Sequence, residues 1–216
     1  MKLATYFRSS AAYRVRIALN LKGVRYEPEF VHLIRGGGEQ HAPAYRARNP
    51  AGLVPLLETD DGQLLTQSLA IIEYFDETIP EPPLLPGDAM HRAHIRAFAL
   101  AIACDIHPLN NLRVLRQLKR EHGQEQEAID GWYRHWIAGG LPALEDMLAR
   151  AGSVGPFCFG EAATLADVCL VPQLANARRY DCPLEAFPRL LRADAAARAL
   201  RAFADAAPDR QPDAAG

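Results

Sequence analysis

Short apolar strands alternate with helical segments in the first third of the sequence. The β-rich run from Leu3 to Phe7 is followed by Ala12 to Lys22, where apolar residues recur at helical spacing and Gly23 acts as the terminator. Strand composition returns over Val24 to Leu33, and Gln40 to Arg48 is an irregular helix candidate. The pattern up to this point predicts two strands and two helices.

A β-hairpin and a third helix are predicted next. Val54 to Glu58 and Gln63 to Thr66 are short strands on either side of Asp61-Gly62, a dipeptide that favours hairpin turns. Leu69 to about Thr78 has a helical apolar face. The order β-α-β-α-β-β-α predicts a mixed sheet with helices on its faces.

The remainder of the chain is predicted to be all-helical. Four prolines interrupt the chain first, and because neither a helix nor a central strand tolerates them, we interpret them as a semi-rigid linker: Pro80, Pro82, Pro83 and Pro86. The predicted helical stretches are Met90–Arg120, Gln124–Arg150, Leu165–Tyr180 and Pro188–Ala206. Pro108 and Pro142 are expected to kink or break the first two. The last ten residues are expected to trail over the surface.

The pattern therefore predicts an α/β domain over 1–80, a linker over 81–89 and an all-α domain over 90–216. Composition agrees with a globular protein, since 49% of the 216 residues are hydrophobic and 23% are charged. A net charge of −2 disfavours a protein that coats nucleic acid. The N-terminus lacks a signal-peptide pattern, and no apolar run approaches the roughly 20 residues of a membrane span. We expect a soluble cytoplasmic protein.

Metal binding and disulfide chemistry are not expected. None of the four cysteines forms a C-x-x-C pair, which disfavours a zinc ribbon or a thioredoxin redox motif and fits a reducing cytoplasm. Cys104 with His107, and His91 with His94, have helical spacing, but two ligands alone make no metal site.

Two serine-rich helix starts are candidate anion sites. Ser9 and Ser10 lie at a strand-to-helix junction, where unpaired N–H groups and the helix dipole favour an anion such as a thiolate, to which a serine hydroxyl can donate. Gln67-Ser68 begins another predicted helix, where Ser68 is suited to a ligand carboxylate. Plain N-capping remains the alternative at both positions.

Three further patterns have structural and functional interpretations. The base rate for X-Pro bonds favours a trans Val54-Pro55, whereas a cis bond would aim the Val54 backbone outward, free to pair with an extended peptide. Thr164 and Asp167 have capping-box spacing, for which a structural role is favoured. Four arginines suit carboxylates only if the fold gathers several in one cleft: Arg8, Arg113, Arg178 and Arg179.

The stretch from Ser9 to Leu19 resembles the S-S-C-x-W-R-V-R-I-A-L signature of zeta-class glutathione transferases, a group that includes maleylacetoacetate and maleylpyruvate isomerases. The likeness covers nearly the whole chain and continues through Asn49-Pro50, Val54-Pro55, 67–74, 105–111, 165–167, 170–173 and Gln211-Pro212-Asp213. In two positions the chain departs from the signature, with Ala11 replacing the cysteine and Tyr13 the tryptophan.

The resemblance implies a thioredoxin-like domain followed by a helical domain, usually in a homodimer, with glutathione along the first domain. It implies that Ser9, with Ser10, stabilises the sulfur and that Val54, before a cis-proline, pairs with the cysteinyl backbone. Gln67 and Ser68 would hold the γ-glutamyl end. The remaining positions expected to line the glutathione or its mouth are Gln40, His107 and Asn111.

The implied reaction is the cis–trans isomerisation of maleylacetoacetate or maleylpyruvate in aromatic (tyrosine and phenylalanine) catabolism. Addition of a thiolate makes the C=C bond single and permits rotation, so the protein must supply a thiolate, donors for an enolate and cations for two carboxylates. Arg8, Arg113 and Arg179 are the candidate cations. A broader glutathione transferase or dehalogenase, and a non-enzymatic interaction module, are the alternatives.

Overall fold

The computed structural model describes residues 1–215, and their contacts divide the chain into two compact units. The first unit comprises Met1–Pro83 together with the segment that begins at Leu200, and the second unit is Leu84–Ala199. The sequence pattern instead assigns all of 90–216 to the helical domain. The difference arises because Phe203 and Ala206 are buried in the first unit, at 0% and 1% exposure.

The sheet of the first unit has the strand order β2-β1-β3-β4. The central strand β1 (Lys2–Thr5) pairs in parallel with β2 (Glu27–Phe30) and antiparallel with β3 (Leu56–Glu58). Strand β4 (Leu64–Thr66) completes the hairpin with β3, and the turn residue Gly62 has a left-handed φ of +81°. The mixed sheet that the sequence pattern predicts is confirmed.

Three α-helices belong to the first part of this unit: α1 (Ser10–Leu21), α2 (Pro43–Arg48) and α3 (Ser68–Thr78). The beginning of the predicted Gln40–Arg48 helix is a 3₁₀ turn, Glu39–His41, and α2 begins only at Pro43, a residue well suited to the first turn of a helix.

Helices α1 and α3 run parallel to each other. At their C-terminal ends, the Lys22 ammonium, whose side chain is 0% exposed, donates to Asp76 Oδ1 and to the carbonyl of Ile79, both at 2.7 Å. A further 2.7 Å bond to the carbonyl of Pro82 ties the start of the linker to the same group. At their N-terminal ends, Arg14 reaches Ser68. The N-termini of α1 and α3 therefore lie at the same end of the unit.

The second unit is helical, as predicted. Its helices are α4 (Ala89–Leu100), α5 (Leu112–Arg120), α6 (Gln126–Ala151), α7 (Leu165–Arg179) and α8 (Pro188–Ala199). Between α4 and α5 the chain passes through a π-helical segment, Ala101–Ile106, and a 3₁₀ turn, His107–Asn110, so the interruption expected near Pro108 is confirmed. Within the described range, no helix combines the length and the apolar character needed to cross a membrane.

Helix α6 runs through Pro142 without a break. Pro142 lacks an N–H group, so the carbonyl of Ala138 loses its helical partner. Both residues are exposed, which allows water to replace that partner. Of the kink or break expected at Pro142, the break is therefore absent, because the affected backbone faces solvent.

Helix α7 begins with the predicted capping box. Oδ2 of the fully buried Asp167 accepts from the N–H of Thr164 at 2.8 Å and from its hydroxyl at 3.0 Å. Oδ1 accepts from the N–H of Cys158 at 2.9 Å. Burial raises the pKa of Asp167 against these stabilising hydrogen bonds. The role of the motif is structural, because all of its contacts lie within the start of α7 and the loop before it.

The expectation that the last ten residues trail over the surface is wrong for the described residues 207–215, since the Phe7 N–H donates to Asp213 Oδ2 at 2.9 Å; Gly216 lies outside the described residues. The predicted Pro188–Ala206 helix ends at Ala199, and Leu200 is extended before the short helix α9 (Arg201–Ala204). Two 3₁₀ turns follow, Pro208–Arg210 and Pro212–Ala215. The segment packs on the first unit.

Candidate active site

Ser9 is the N-cap of α1, directly after the turn that leaves β1. Its Oγ accepts a 3.2 Å hydrogen bond from the N–H of Ala12, and its own N–H donates to Tyr6 O at 2.9 Å. A hydroxyl carries one proton beyond the lone pairs that accept, so Ser9 can cap the helix and donate to an anion at the same time. The capping and anion-binding interpretations of Ser9 are thus compatible.

Ser68 occupies the equivalent place on α3. It is the first residue of the helix, is 7% exposed, and its Oγ lies 3.5 Å from Nη1 of Arg14. The Arg14 side chain is buried at 1% exposure, so a positive charge lies beneath this helix start in addition to the helix dipole. This combination favours a carboxylate at Ser68.

Gln67, the residue before α3, has a left-handed backbone with φ of +68° and ψ of +117°. Such values are unfavourable for a residue with a Cβ and concentrate at ligand-binding sites. The Gln67 side chain is exposed at the helix start. The resemblance predicts Gln67 as a site residue, but nothing in the sequence indicates its backbone conformation.

Strand register brings three segments to the same end of the sheet. Ala4 pairs with Leu56, and Leu56 pairs with Thr66. When this antiparallel register is continued by two residues, Val54 lies between the turn that follows β1 and the start of α3. In agreement with this, Val54 is part of one apolar cluster with Tyr6.

The Val54-Pro55 bond is cis, as the resemblance implies. The preceding carbonyl, of Leu53, is fixed by two donors, the Tyr45 hydroxyl at 2.6 Å and Asn49 Nδ2 at 2.7 Å. Burial raises the pKa of Tyr45 to about 12. Within the described residues, no protein hydrogen bond engages the Val54 backbone. An extended ligand can therefore pair with it.

Gln40 lies next to the loop that leads into Val54. It is 5% exposed, and its Nε2 lies 3.4 Å from Leu33 O and 3.1 Å from His41 Nε2. Gly52 approaches it so closely that a Cβ at this glycine would lie 3.2 Å from the carbonyl oxygen of Gln40. Oε1 of Gln40 is buried without a hydrogen-bond partner in the described part of the chain, and is thus suited to a ligand donor.

Arg8 is the exposed residue between Phe7 and Ser9. Its guanidinium lies over the Phe7 ring, 5.0 Å from the centroid. This contact holds a delocalised charge beside the Ser9 turn while leaving its N–H donors accessible. Ser10, the first residue of α1, is buried at 7% exposure.

The other predicted site residues lie in the second unit. Asn111 is the N-cap of α5 and accepts from the N–H of Arg113 at 3.1 Å, while the Arg113 side chain is exposed. His107 begins the 3₁₀ turn before it. Arg179 is at the end of α7, where it donates to the Tyr180 hydroxyl at 3.1 Å and lies 4.9 Å from that ring's centroid. Arg113 and Arg179 are thus on different helices.

Several residues that support the site were not predicted from the sequence. Arg14 and Arg16 are buried charges within α1, and Tyr45 and Asn49 hold the Leu53 carbonyl. One signal was available, since two arginines stand two residues apart within an apolar helix and cannot both face solvent. Asp213, whose Oδ2 accepts from the Phe7 N–H at 2.9 Å, belongs to the tail motif of the resemblance, but no local pattern predicts this contact.

The geometry agrees with comparisons to known proteins. A family model, the glutathione S-transferase N-terminal domain, matches residues 8–78. The chain is 52% identical over 210 residues to a probable maleylacetoacetate isomerase of Vibrio cholerae, covering 97% of this chain and 96% of that protein.

Solved structures agree over the full length. A holo structure of a maleylpyruvate isomerase, described as a bacterial zeta-class glutathione transferase, has a TM-score of 0.94 and 46% identity, covering 99% of each chain. A maleylacetoacetate isomerase of Methylobacterium extorquens with bound malonate and glutathione has a TM-score of 0.94 and 42% identity, also covering 99% of each chain.

The fold and the paired helix N-termini define a glutathione transferase. Within that superfamily, the chain belongs to the zeta class, the family of the maleylacetoacetate and maleylpyruvate isomerases.

Proposed function

We propose that the protein is a glutathione-dependent isomerase that converts a maleyl keto acid, maleylacetoacetate or maleylpyruvate, into its fumaryl isomer. The observation that carries the proposal is the convergence of Ser9, Val54 and Ser68 at one end of the sheet, where two parallel helices present their N-termini. The relatives named above are isomerases of these two substrates, and a related structure contains glutathione.

The first unit fits glutathione in three respects. The α1 start with Ser9 and Ser10 suits a thiolate, and the α3 start with Gln67 and Ser68 suits the γ-glutamyl carboxylate. The unpaired Val54 backbone suits the cysteinyl amide, with Gln40 beside it. We assign these residues to the glutathione site.

When bound, glutathione supplies the nucleophilic thiol that makes the substrate's C=C bond temporarily single. The chain's own task is to keep that thiol ionised at neutral pH. Lowering a thiol pKa by about two units corresponds to roughly 2.7 kcal/mol. The Ser9 hydroxyl together with the N-terminus of α1 can provide this much stabilisation.

The substrate carries two carboxylates, and we assign them to arginines. Arg8 adjoins Ser9 in the first unit, and Arg113 and Arg179 are the candidates in the second unit. For His107 and Asn111, we propose a glutathione-binding role on the family resemblance alone. Fork-shaped guanidinium groups bind carboxylates in two-point contacts. We propose that Arg8 and Arg179 make such contacts with the reacting dianion.

Replacing Arg8 or Arg179 by methionine is expected to raise KM for the dianionic substrate by roughly ten-fold or more, equivalent to about 1.4 kcal/mol. Glutathione affinity should barely change. Steady-state kinetics with the maleyl keto acid and with an uncharged electrophile measure the effect. Equal losses for both substrates would mean that these arginines support the fold only.

Ala11 is expected not to prevent isomerisation, because glutathione provides the reacting thiol. Ala11→Cys should therefore leave the isomerase rate within about two-fold of wild type while creating a new site for alkylation next to Ser10. Rate measurements and mass spectrometry after treatment with an alkylating agent check both outcomes. A large gain in rate from the added cysteine would contradict the assignment.

The test of the proposed function is an absorbance assay of both maleyl keto acids, with and without glutathione. Conversion that requires glutathione supports the proposal, and the ratio of the two kcat/KM values identifies the preferred substrate. Faster turnover of small halides than of either keto acid would favour a general transferase or dehalogenase. Calorimetry showing no glutathione binding would refute the glutathione site.

We further propose that the protein is a cytoplasmic homodimer, as the family resemblance implies. Exposed apolar side chains are available for such an interface, including Leu64 at 41% and Tyr74 at 38% exposure in the first unit. Sedimentation equilibrium of the purified protein checks the proposal, and a monomer at micromolar concentration would contradict it.

A further inference from the structure

The turn from Tyr6 to Ser9 carries the proposed thiolate-binding hydroxyl. One internal hydrogen bond closes it, from the N–H of Ser9 to Tyr6 O at 2.9 Å. A turn with so few bonds of its own depends on its surroundings for a fixed position. Two side chains outside the glutathione site, Arg16 and Asp213, provide those contacts.

Arg16 holds the carbonyl groups of the turn. The side chain is 0% exposed, and its guanidinium donates to Tyr6 O at 3.4 Å and to Phe7 O at 3.3 Å. The same group donates to Thr5 Oγ1 at 3.0 Å and to Ala206 O at 3.1 Å. Because a guanidinium is a rigid planar fork, these contacts fix β1, the turn and the C-terminal segment relative to one another.

Asp213 holds the opposite side of the same peptide. Its Oδ2 accepts from the N–H of Phe7 at 2.9 Å. Phe7 is therefore fixed at both backbone groups, the N–H by Asp213 and the C=O by Arg16. Arg8 and Ser9 follow directly in the chain, so a displacement of Phe7 is transmitted to both.

Hydrogen bonds from α1 fix the segment that leads to Asp213. Asn20 Nδ2 donates to the carbonyl of Ala202 at 2.9 Å, and the Tyr13 hydroxyl donates to the carbonyl of Phe203 at 3.4 Å. Both donors belong to α1, the helix that Ser9 caps. The C-terminal segment is thus aligned along α1 before it reaches Phe7.

One oxygen of the Asp213 carboxylate carries a desolvation cost. Its Oδ1 is buried with no hydrogen-bond partner among residues 1–215. Burial lowers the pKa of Arg16 to about 10, and the charge of Asp213 is one of the influences that oppose this shift. A carboxylate oxygen that is buried without a hydrogen bond does not add to stability, which favours a role of Asp213 at the site.

We propose that Asp213 is a positioning residue of the glutathione site, which fixes the Ser9 hydroxyl and the start of α1 by holding the N–H of Phe7. Asp213 acts through this peptide and does not touch the ligand. The inference rests on the proposed function, because it takes Ser9 as the group that stabilises the glutathione thiolate.

The test compares three variants of the full chain by the pKa of the bound glutathione thiol, read from thiolate absorbance. Asp213→Ala removes the acceptor and should raise that pKa by about half a unit to one unit, with kcat about three- to ten-fold lower. KM for glutathione should stay within about two-fold, because the γ-glutamyl end is bound at Ser68. Asp209→Ala, an exposed carboxylate on the same segment, is the matched control and should behave as wild type.

Asp213→Asn separates position from charge. The amide oxygen can still accept from the Phe7 N–H, so Ser9 should stay in place, and the loss of a negative charge can only lower the thiol pKa; the pKa should therefore stay at or below the wild-type value. A purely electrostatic role instead predicts that the alanine variant also lowers the thiol pKa. If removal of the charge alone mattered, Asn and Ala would shift the thiol pKa equally, and that result would overturn the proposal.

Amide hydrogen exchange provides a readout without glutathione. The Phe7 and Ser9 amides should exchange faster in D213A than in D209A. If D213A leaves both the exchange of these amides and the thiol pKa unchanged, the inference is overturned. A lower Tm alone would then mean that Asp213 has a structural role only. If D213A does not fold, Asp213→Glu is the substitute, because its longer side chain displaces the carboxylate that accepts from Phe7. This variant should also raise the thiol pKa. A wild-type protein that binds no glutathione would refute the proposed function instead.

Discussion

Ser9→Ala is expected to lower kcat for isomerisation about ten- to hundred-fold and to raise the pKa of the bound thiol by about one to two units. A hydrogen bond to a charged group contributes about 1.5–3 kcal/mol, and each pKa unit corresponds to about 1.4 kcal/mol. Glutathione affinity should change less, because the Ser68 and Val54 contacts remain. Titration of the thiolate absorbance alongside steady-state kinetics measures both effects.

The control for Ser9→Ala must account for the lost helix cap, which costs about 1 kcal/mol. Asp88→Ala is suitable, since Asp88 caps α4 by accepting from the N–H of His91 at 2.8 Å and has no proposed role in the reaction. Asp88→Ala should lower Tm while leaving kcat unchanged, and Ser9→Thr should restore most of the activity. An unshifted thiol pKa in Ser9→Ala would place the stabilisation on the α1 N–H groups alone.

Arg16→Met is expected to lower the free energy of unfolding by about 3–5 kcal/mol, the cost of removing one partner from a buried charged network. The substitution keeps an unbranched side chain but removes the Arg16 donor from the carbonyls of Phe7 and Ala206, and it leaves Tyr6 O with the Ser9 N–H alone. Urea denaturation measures the change.

Arg150→Met is the matched control, because its ion pair with Asp146 is exposed and such pairs contribute at most about 1 kcal/mol. The coupling of Arg16 with Asp213 can be measured by a double-mutant cycle, in which Arg16→Met should cost less when Asp213 is already asparagine. Equal, small losses for Arg16→Met and Arg150→Met would mean that the buried guanidinium is not required for stability.

Local signals in the sequence predicted what depends on local interactions. The N-cap at Ser9, the capping box of Thr164 with Asp167 and the Asp61-Gly62 hairpin each involve residues a few positions apart. The order of strands and helices follows from the same short-range patterns. Helix α6 is unbroken at Pro142, where the affected backbone is exposed to solvent, and no local sequence pattern records that exposure.

The supporting contacts of the site could not be predicted, because they join residues far apart in the chain. From its sequence context Arg16 resembles a solvated arginine, but in the fold Ala206 and the turn after β1 enclose it. Asp213 lies 206 residues after Phe7 in the chain and reaches it through a segment that also buries Phe203 and Ala206. The cis bond at Val54 was expected from the resemblance alone, since the base rate favours trans.

The return of the C-terminal segment makes the first unit discontinuous in the chain. Leu84–Ala199 is inserted between two portions of the unit that carries Ser9, Val54 and Ser68. During synthesis on the ribosome, this unit therefore remains incomplete until residues 200–213 have emerged. A fragment cut at the proline-rich linker would lack the C-terminal segment that covers α1. A premature stop after Ala199 would likewise damage the first unit, although none of the residues assigned to bind glutathione would be missing.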